Sequence, residues 1–515
     1  MESSAAGIAK GSAYLLASRI ASNLISILAL TFIARGLTVG EMGVSTALSL
    51  LITLGITLSR AGVPISAARF ISEAKGKGER YDHFIMAALL ARLLLSSLYI
   101  SVVIGLSLYM PSIFWDQYHI GLDLLILALI TMLALGMEGS LKGVLVGLNM
   151  MGAICLSGLI ASIVSQPVAA ILVVKGWGVK GYVIGWALGG ITGSLSSCAF
   201  LAMALRGKKL RTVGAWRALK ALLKFSWPIL ITDLAGFLFL WFDSFVIVLT
   251  GSPKELGLYS VALKVYSMIT VVPLNIATAL YPYYGEQYGR GKLEEIRAMT
   301  FAVSRYLSFL FIPAALGLAV VAEPTLIIFA GEKYAGSAPL LMVFGFFGSL
   351  TAFTPALSRL LITFKRTKAL MVANLASVFI SLLFASAAIH SLGLLLTVAL
   401  ARGIASVLLL GFYVLSTKDV ASVDLRSLAK GLICSLIMAT TVYVVELWLG
   451  SSIFSLAIYV AIGAFVYGVC LRVVRGLSYQ DVLTLSGVLP GRSKKLLVMI
   501  GRLIAPDYLT DKASE

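Results

Sequence analysis

The chain has 515 residues, of which 59% are hydrophobic and 12% are charged, and its formal net charge is +18. Soluble globular domains have about 25% charged residues, so this composition excludes an ordinary soluble protein. The basic residues alternate with apolar stretches instead of forming one patch, which argues against nucleic-acid binding and favours topology signals and contacts with anionic membrane lipids.

Apolar stretches of about 20 residues, the length that spans a bilayer, recur along the chain. The first six predicted spans lie near residues 12–34, 43–61, 84–108, 121–141, 150–174 and 180–204. Six more lie near 225–249, 258–280, 301–321, 337–361, 368–388 and 391–415, and two lie near 428–448 and 452–471. The predicted fold class is an all-α polytopic membrane protein with about 14 transmembrane helices.

An even number of spans in each half gives both halves the same orientation, so we predict two parallel six-helix lobes plus two C-terminal helices. The hinge Glu41-Met42-Gly43 returns as Glu255-Leu256-Gly257 in the second half, which indicates an internal repeat. The predicted segments are an N-terminal lobe (1–204), a basic amphipathic cytoplasmic linker (205–224), a C-terminal lobe (225–416), two extra transmembrane helices (417–475) and a cytoplasmic tail with an interfacial helix (476–515).

Lys and Arg residues are concentrated in the loops on one side of this topology. The opposite, outer loops hold only Arg35, Lys175, Lys180, Lys254 and Lys333. Because basic loops stay in the cytoplasm, we predict a multi-pass protein of the cell membrane with both termini cytoplasmic.

Ionisable side chains inside the spans cost about 3 kcal/mol or more at the bilayer centre, so each one needs a reason. Arg19 lies about two turns into the first span with Asn23 on the same face, and a polar stripe on the second span ends at Arg60. Hydrogen bonding between helices would explain the hydroxyls but not Arg19, so we favour a water-filled cavity. Arg60 lies near a span end and has snorkelling as its alternative explanation, and Arg92 has no assigned role.

The second half also carries charges within its spans. Lys264 lies in the eighth span, Arg402 in the twelfth, and Asp233 and Asp243 share the seventh. We predict that Arg19, Asn23, Arg60, Lys264 and Arg402 bind substrate in the cavity. Asp233 and Asp243 are candidates for ion or proton coupling, and a structural ion pair with Lys264 or Arg402 is the equal alternative.

No catalytic, metal or cofactor site is predicted. The chain has no phosphate-binding loop and no clustered His, Cys and Asp residues, and its four cysteines and three histidines do not have metal-ligand spacing. The outer loops are too short for a catalytic domain, so we do not expect an enzyme.

Several short motifs occur in a characteristic order. The first half has Ala34-Arg35-Gly36-Leu37, Glu41-Met42-Gly43 and Ala68-Arg69-Phe70-Ile71, and the second half has Trp227-Pro228, Phe242-Asp243, Gly257-x-Tyr259-x-x-Ala262 and Leu280-Tyr281-Pro282. Over about residues 10–470 the chain resembles the polysaccharide and oligosaccharide flippase branch of the multidrug/oligosaccharidyl-lipid/polysaccharide exporter superfamily.

The resemblance implies two six-helix lobes that face a cationic cavity and work by alternating access. It implies transport of a polyprenyl-(di)phosphate-linked oligosaccharide from the inner to the outer leaflet, for polysaccharide or glycoconjugate biosynthesis, with Arg19 as a cavity arginine. The expected partners are this lipid-linked oligosaccharide, anionic membrane lipids and glycan-assembly enzymes, and we expect a monomer without cofactors.

Three alternatives stay open. A multidrug efflux antiporter of the same superfamily would carry organic cations, for which an acidic cavity is better suited. A membrane-embedded glycan polymerase or ligase, and a scaffold for a glycan-assembly complex, belong to different classes.

Overall fold

The computed structural model describes residues 21–109, 117–206, 214–450 and 453–476, and all regular secondary structure in these ranges is helical. The predicted all-α membrane fold class is therefore confirmed. Arg19 and the tail from residue 477, with its predicted interfacial helix, lie outside the described residues.

The first half of the chain forms α1 (Ala21–Gly36), α2 (Val39–Arg60), α3 (Val63–Gly76), α4 (Asp82–Tyr109), α5 (Leu122–Gly147), α6 (Met151–Leu172), α7 (Gly178–Ala204) and α8 (Ala215–Thr250). A short π-helical turn, Val173–Trp177, joins α6 to α7. The second half forms α9 (Pro253–Gly289), α10 (Leu293–Val320), α11 (Ala322–Ala330), a 3-10 turn (Glu332–Ser337), α12 (Ala338–Leu350), α13 (Thr354–Thr363), α14 (Thr367–Leu392), α15 (Leu394–Thr417), α16 (Leu425–Leu449) and α17 (Ile453–Val473).

The predicted count of about 14 spans is not confirmed. Among the described residues, 11 helices are long and apolar enough to cross a membrane, or 12 if the bent pair Glu332–Leu350 and Thr354–Thr363 is one span. The two halves of this pair meet at 49°, and Pro355 lies in the first turn of α13, where its missing N–H costs no helical hydrogen bond.

Glycines pack α6 against α7 as an antiparallel pair. A Cβ on Gly185 would lie 2.5 Å from the Ala169 Cβ, and one on Gly193 would lie 3.0 Å from the Ala161 Cβ. Gly185 faces Ala169, whereas Gly193, farther along α7, faces Ala161, which comes earlier on α6. The two helices therefore run in opposite directions, and the chain reverses at the π-helical turn. Close backbone approach through small residues is a usual way for helices to pack in a membrane.

The end of the predicted linker belongs to the helix of the seventh span, and residues 207–213 of that linker lie outside the described residues. We predicted a linker over 205–224, whereas α8 is one 36-residue helix that already begins at Ala215. Leu219 and Leu222 of its first turns are buried in a cluster with Ile71, Ile85 and other side chains of α3, α4 and α5, while Trp216 is exposed. Burial of these leucines stabilises the first turns of α8 as a continuous part of the spanning helix.

The chain divides into two compact units. One comprises residues 1–261, 329–334 and 367–401, and the other comprises 262–328, 335–366 and 402–515. In the second unit, α10 packs against α12 and α16, and Asp424 caps α16 by accepting a hydrogen bond from the Ser427 N–H at 3.0 Å. The predicted six-helix lobes stay a prediction.

Candidate functional site

The polar stripe on α2 satisfies its own hydroxyl donors. Each side chain donates to the backbone carbonyl four residues earlier: Ser49 to Ser45 at 2.7 Å, Thr53 to Ser49 at 2.7 Å, and Thr57 to Thr53 at 2.9 Å. Ser49 is buried, whereas Thr53 and Thr57 are half-buried. These donors need no partner on another helix, so the half-buried Thr53 and Thr57 can face water or a ligand.

Arg60 ends this stripe and forms an ion pair with Asp233 of α8. The distance from the arginine Nη2 to the carboxylate Oδ2 is 2.6 Å, and the side chains are 41% and 21% exposed. We considered Lys264 and Arg402 as partners of Asp233, but the ion pair in the structure is made by Arg60. A partly exposed pair exchanges partners more readily than a buried one, because water screens it.

A tight turn brings these two charges together. α2 ends in left-handed residues, Ala61 with φ 44° and Gly62 with φ +70°. A Cβ on Gly62 would lie 2.8 Å from the Ile229 Cβ, so the turn requires glycine and packs directly on α8. Ile229 lies one helical turn before Asp233, which places the carboxylate beside the end of α2.

Arg92 of α4 is a second intramembrane arginine, only 1% exposed. Its Nη2 donates to the Met132 carbonyl at 3.1 Å and Nη1 to the Ile56 carbonyl at 3.5 Å. The guanidinium lies on Gly136, where any Cβ would overlap it. None of the ion pairs among the described residues includes Arg92, and its Nε has no hydrogen-bond partner there.

Sequence reasoning gave Arg92 no role, although a signal was present. Its position 11 residues into the 28-residue α4 leaves no short path for snorkelling to either end. The sequence does not reveal that Gly136, on α5, packs against the Arg92 guanidinium.

Asp243 is fully buried in α8 and holds α9. Its carboxylate accepts hydrogen bonds of 2.6 Å from the Tyr259 hydroxyl and 2.6 Å from the Ser244 N–H. Tyr259 is also fully buried. These contacts favour a structural role for Asp243 and leave Asp233 as the more accessible of the two carboxylates.

Asn23 and the hinge residues lie in the same unit as Arg60. Asn23 is half-buried on α1, next to Ser22, whose hydroxyl is 2.9 Å from that of Ser162 on α6. Arg19, four residues before Asn23 in the sequence, falls outside the described residues, so the structure describes only one of the two predicted site residues on the first span.

Lys264 and Arg402 both lie half-buried in the other unit. Arg402 is close enough to the Tyr266 hydroxyl to interact with it electrostatically. Close glycine contacts fix this region, because a Cβ on Gly403 would overlap the Phe347 ring and one on Gly348 would overlap Tyr266. The predicted site residues thus fall in two groups, one in each unit.

Comparison with known proteins identifies the family and the fold of the chain. Residues 8–287 match the model of a family described as "Polysaccharide biosynthesis protein", and residues 228–387 match the MatE family model. No curated protein sequence matches the chain.

Several solved structures are similar. The lipid II flippase MurJ in an inward closed conformation is 16% identical, with a TM-score of 0.71, over 91% of this chain and 99% of that one. An inward-facing multidrug resistance MATE transporter of the MOP superfamily is 16% identical, with a TM-score of 0.62, over 77% of this chain and 94% of that one. A Vibrio cholerae MATE transporter is 14% identical, with a TM-score of 0.56, over 81% of this chain and 98% of that one. Identities this low establish the fold alone.

Proposed function

Because the chain belongs to the polysaccharide biosynthesis protein family, whose model matches residues 8–287, we propose that it is a lipid-linked oligosaccharide flippase. The resemblance to the exporter superfamily that the sequence motifs indicated is confirmed at the level of the family. We propose that the substrate is a polyprenyl-(di)phosphate-linked oligosaccharide and that alternating access carries it from the inner to the outer leaflet.

The observation that carries this proposal is Arg60, held at the half-buried end of the α2 hydroxyl stripe. Guanidinium groups bind phosphate with two parallel charge-assisted hydrogen bonds. A 41% exposed Arg60 is accessible to a ligand, whereas the fully buried Arg92 is not. Arg19, Asn23, Lys264 and Arg402 stay substrate-binding candidates.

Exchange of partners at Arg60 offers a route to coupling. A substrate phosphate that binds Arg60 displaces the Asp233 carboxylate, which then gains by taking up a proton or a small cation. Release of substrate restores the Arg60–Asp233 pair. Asp243 is the weaker coupling candidate, since its carboxylate already holds Tyr259 and Ser244.

Rescue of depleted cells tests the function. We expect depletion to leave intact lipid-linked oligosaccharides on the inner leaflet, wild type to clear them, and Arg60→Ala to clear them at least tenfold more slowly. Arg290→Ala, which breaks a surface pair with Glu286, is the matched control and should rescue fully. Full rescue by Arg60→Ala, or unchanged lipids after depletion, contradicts the proposal.

A multidrug efflux antiporter is the second candidate, because residues 228–387 match the MatE model and two of the similar structures are MATE transporters. Such a protein would use Asp233, the more accessible of the two carboxylates, to bind organic cations. Unchanged lipid-linked oligosaccharides together with higher sensitivity to cationic drugs on depletion would favour it.

The proposed setting is the cell membrane, with both termini in the cytoplasm. The basic predicted loops face the anionic inner leaflet, which supports this orientation. We propose that the protein works as a monomer, without a cofactor, alongside enzymes of glycan assembly.

A further inference from the structure

An apolar groove runs between α1 and α6. Its volume is about 580 Å³, and it is lined by Leu28, Ala29 and Phe32 of α1 and by Pro167, Ala170 and Ile171 of α6. The lining continues to Lys175, in the π-helical turn that follows α6.

The two helices touch at both ends of the groove and separate between them. At one end the hydroxyls of Ser22 and Ser162 are 2.9 Å apart. At the other end Gly36 lies so close to Val173 that a Cβ would be 2.6 Å from the valine Cγ1. The groove is therefore a cleft that is closed at one end by the Ser22–Ser162 contact and at the other end by the Gly36–Val173 contact.

Residue size shapes the cleft. Ala29 and Ala170 are 5% and 8% exposed and form a floor of small side chains. Leu28, Phe32 and Ile171 are each more than half exposed and form its walls. Since these walls face outward from the unit, the cleft opens toward the surroundings of the membrane helices.

Lys175 supplies the single charge in the lining that the structure describes. It is exposed, beside Gly176, whose φ of 85° breaks the helix, and beside the exposed Trp177. Trp and Lys side chains are typical of the membrane–water interface, and the sequence predicts this turn to lie on the outer side. A cation at one end of a wholly apolar cleft complements an anionic headgroup with an apolar chain.

We propose that this cleft binds one acyl chain of an anionic phospholipid, with the headgroup phosphate on Lys175. Its volume falls within the roughly 300–1,000 Å³ of small-ligand pockets. The lining that the structure describes is apolar up to Lys175, which matches an apolar chain that ends in an anionic headgroup. The lipid belongs to the leaflet on the Lys175 side, and its binding does not require that the protein transport anything.

Photolabelling of the full chain in phosphatidylcholine proteoliposomes tests this site. The probe is a trace of phosphatidylglycerol with a diazirine in one acyl chain, and labelled peptides are mapped by mass spectrometry. We expect label concentrated on α1 and α6, displaced several-fold better by unlabelled phosphatidylglycerol than by additional phosphatidylcholine.

Two variants separate the apolar cleft from its charge. Leu28→Trp fills the cleft and should remove most label from both helices, whereas Leu195→Trp, an equally exposed position on α7 outside the lining, should not. Lys175→Gln should abolish the preference for phosphatidylglycerol but leave labelling by an equivalent phosphatidylcholine probe. Lys180→Gln, five residues on, is the charge control.

Other outcomes overturn the proposal. Label spread in proportion to exposed apolar surface indicates no site, and an unchanged preference in Lys175→Gln removes the headgroup contact. Competition by a polyprenyl phosphate but not by phosphatidylglycerol would assign the cleft to a substrate tail instead. Because none of these readouts measures transport, the result stands apart from the flippase test.

Discussion

Gly43 of α2 and Gly257 of α9 occupy reciprocal positions, each against the first turn of the other helix. A Cβ on Gly43 would overlap the Pro253 carbonyl oxygen, and one on Gly257 would overlap the Val39 carbonyl oxygen. The caps repeat as well: Glu41 accepts from the Thr38 N–H at 2.8 Å, and Glu255 from the Ser252 N–H at 2.7 Å. Equivalent positions of an internal repeat thus meet within one unit.

Substitution of either glycine should separate these helices. We expect Gly43→Ala and Gly257→Ala each to lower stability by about 1–3 kcal/mol, because backbone atoms must move to admit the methyl group. Gly40→Ala is the control on the same turn, since a Cβ there meets nothing within 4 Å. The check is the thermal unfolding midpoint in detergent, and a wild-type midpoint for Gly43→Ala would contradict the close contact.

The Arg60–Asp233 pair should matter more for transport than for stability. The side chains are 41% and 21% exposed, so water screens the pair and its loss should cost at most about 1 kcal/mol. We expect the exchanged variant, Arg60→Asp with Asp233→Arg, to keep most of the wild-type unfolding midpoint and to clear lipid-linked oligosaccharide at least tenfold more slowly. Normal clearance by the exchanged variant would show that the pair is only structural.

Arg92 and Gly136 should be strongly coupled, because any side chain at 136 overlaps the guanidinium. Gly136→Ala should lower stability by about 1–3 kcal/mol by overpacking. Adding Arg92→Ala should restore part of that loss, so the double variant is more stable than the sum of the single effects predicts. Unfolding midpoints of the four proteins measure the coupling, with Gly139→Ala as the control that meets no neighbour. Additive effects would contradict the packing.

The surface pair of Arg366 and Asp419 predicts a pH dependence. The Arg366 guanidinium, which donates to the Asp419 Oδ1 at 2.7 Å, lowers the pKa of that carboxyl to about 2. A lowered carboxyl pKa stabilises the fold above the unfolded value of about 3.9, and this contribution fades as pH falls through 2. We expect Asp419→Asn to lower the unfolding midpoint by the same amount at pH 5 and pH 8, and by less below about pH 4. A difference that grows toward low pH would exclude this linkage.

The sequence predicted what depends on local pattern and repetition. Apolar length gave the helical membrane fold, and the matching triplets at Glu41 and Glu255 indicated a repeat whose members the structure places in contact. We predicted a linker up to residue 224, because its basic residues suggested an interface and Trp227-Pro228 suggested a helix start, whereas α8 already begins at Ala215. The burial of Leu219 and Leu222 decides this point, and it depends on side chains of three distant helices.

For the same reason, the sequence could not predict which charged side chains form ion pairs with each other. The partner of Asp233 follows from the turn at Gly62, which packs on Ile229 and so fixes where Arg60 ends. Nothing in the local sequence of α8 indicates that turn. The depth of Arg92 was readable from its place in the span, but its partner Gly136 was not.

The α2 hydroxyls have a consequence for selectivity. Thr53 and Thr57 use their hydrogens on carbonyls of their own helix, so their oxygens present lone pairs to whatever lies beside them. Such a surface accepts hydrogen bonds and complements the many hydroxyl donors of a sugar chain. It offers nothing to a phosphate, which is itself an acceptor. In the proposed flippase, one face of α2 would thus bind the two parts of a glycolipid at different places. The saccharide would lie along Thr53 and Thr57, and the phosphate would lie at Arg60.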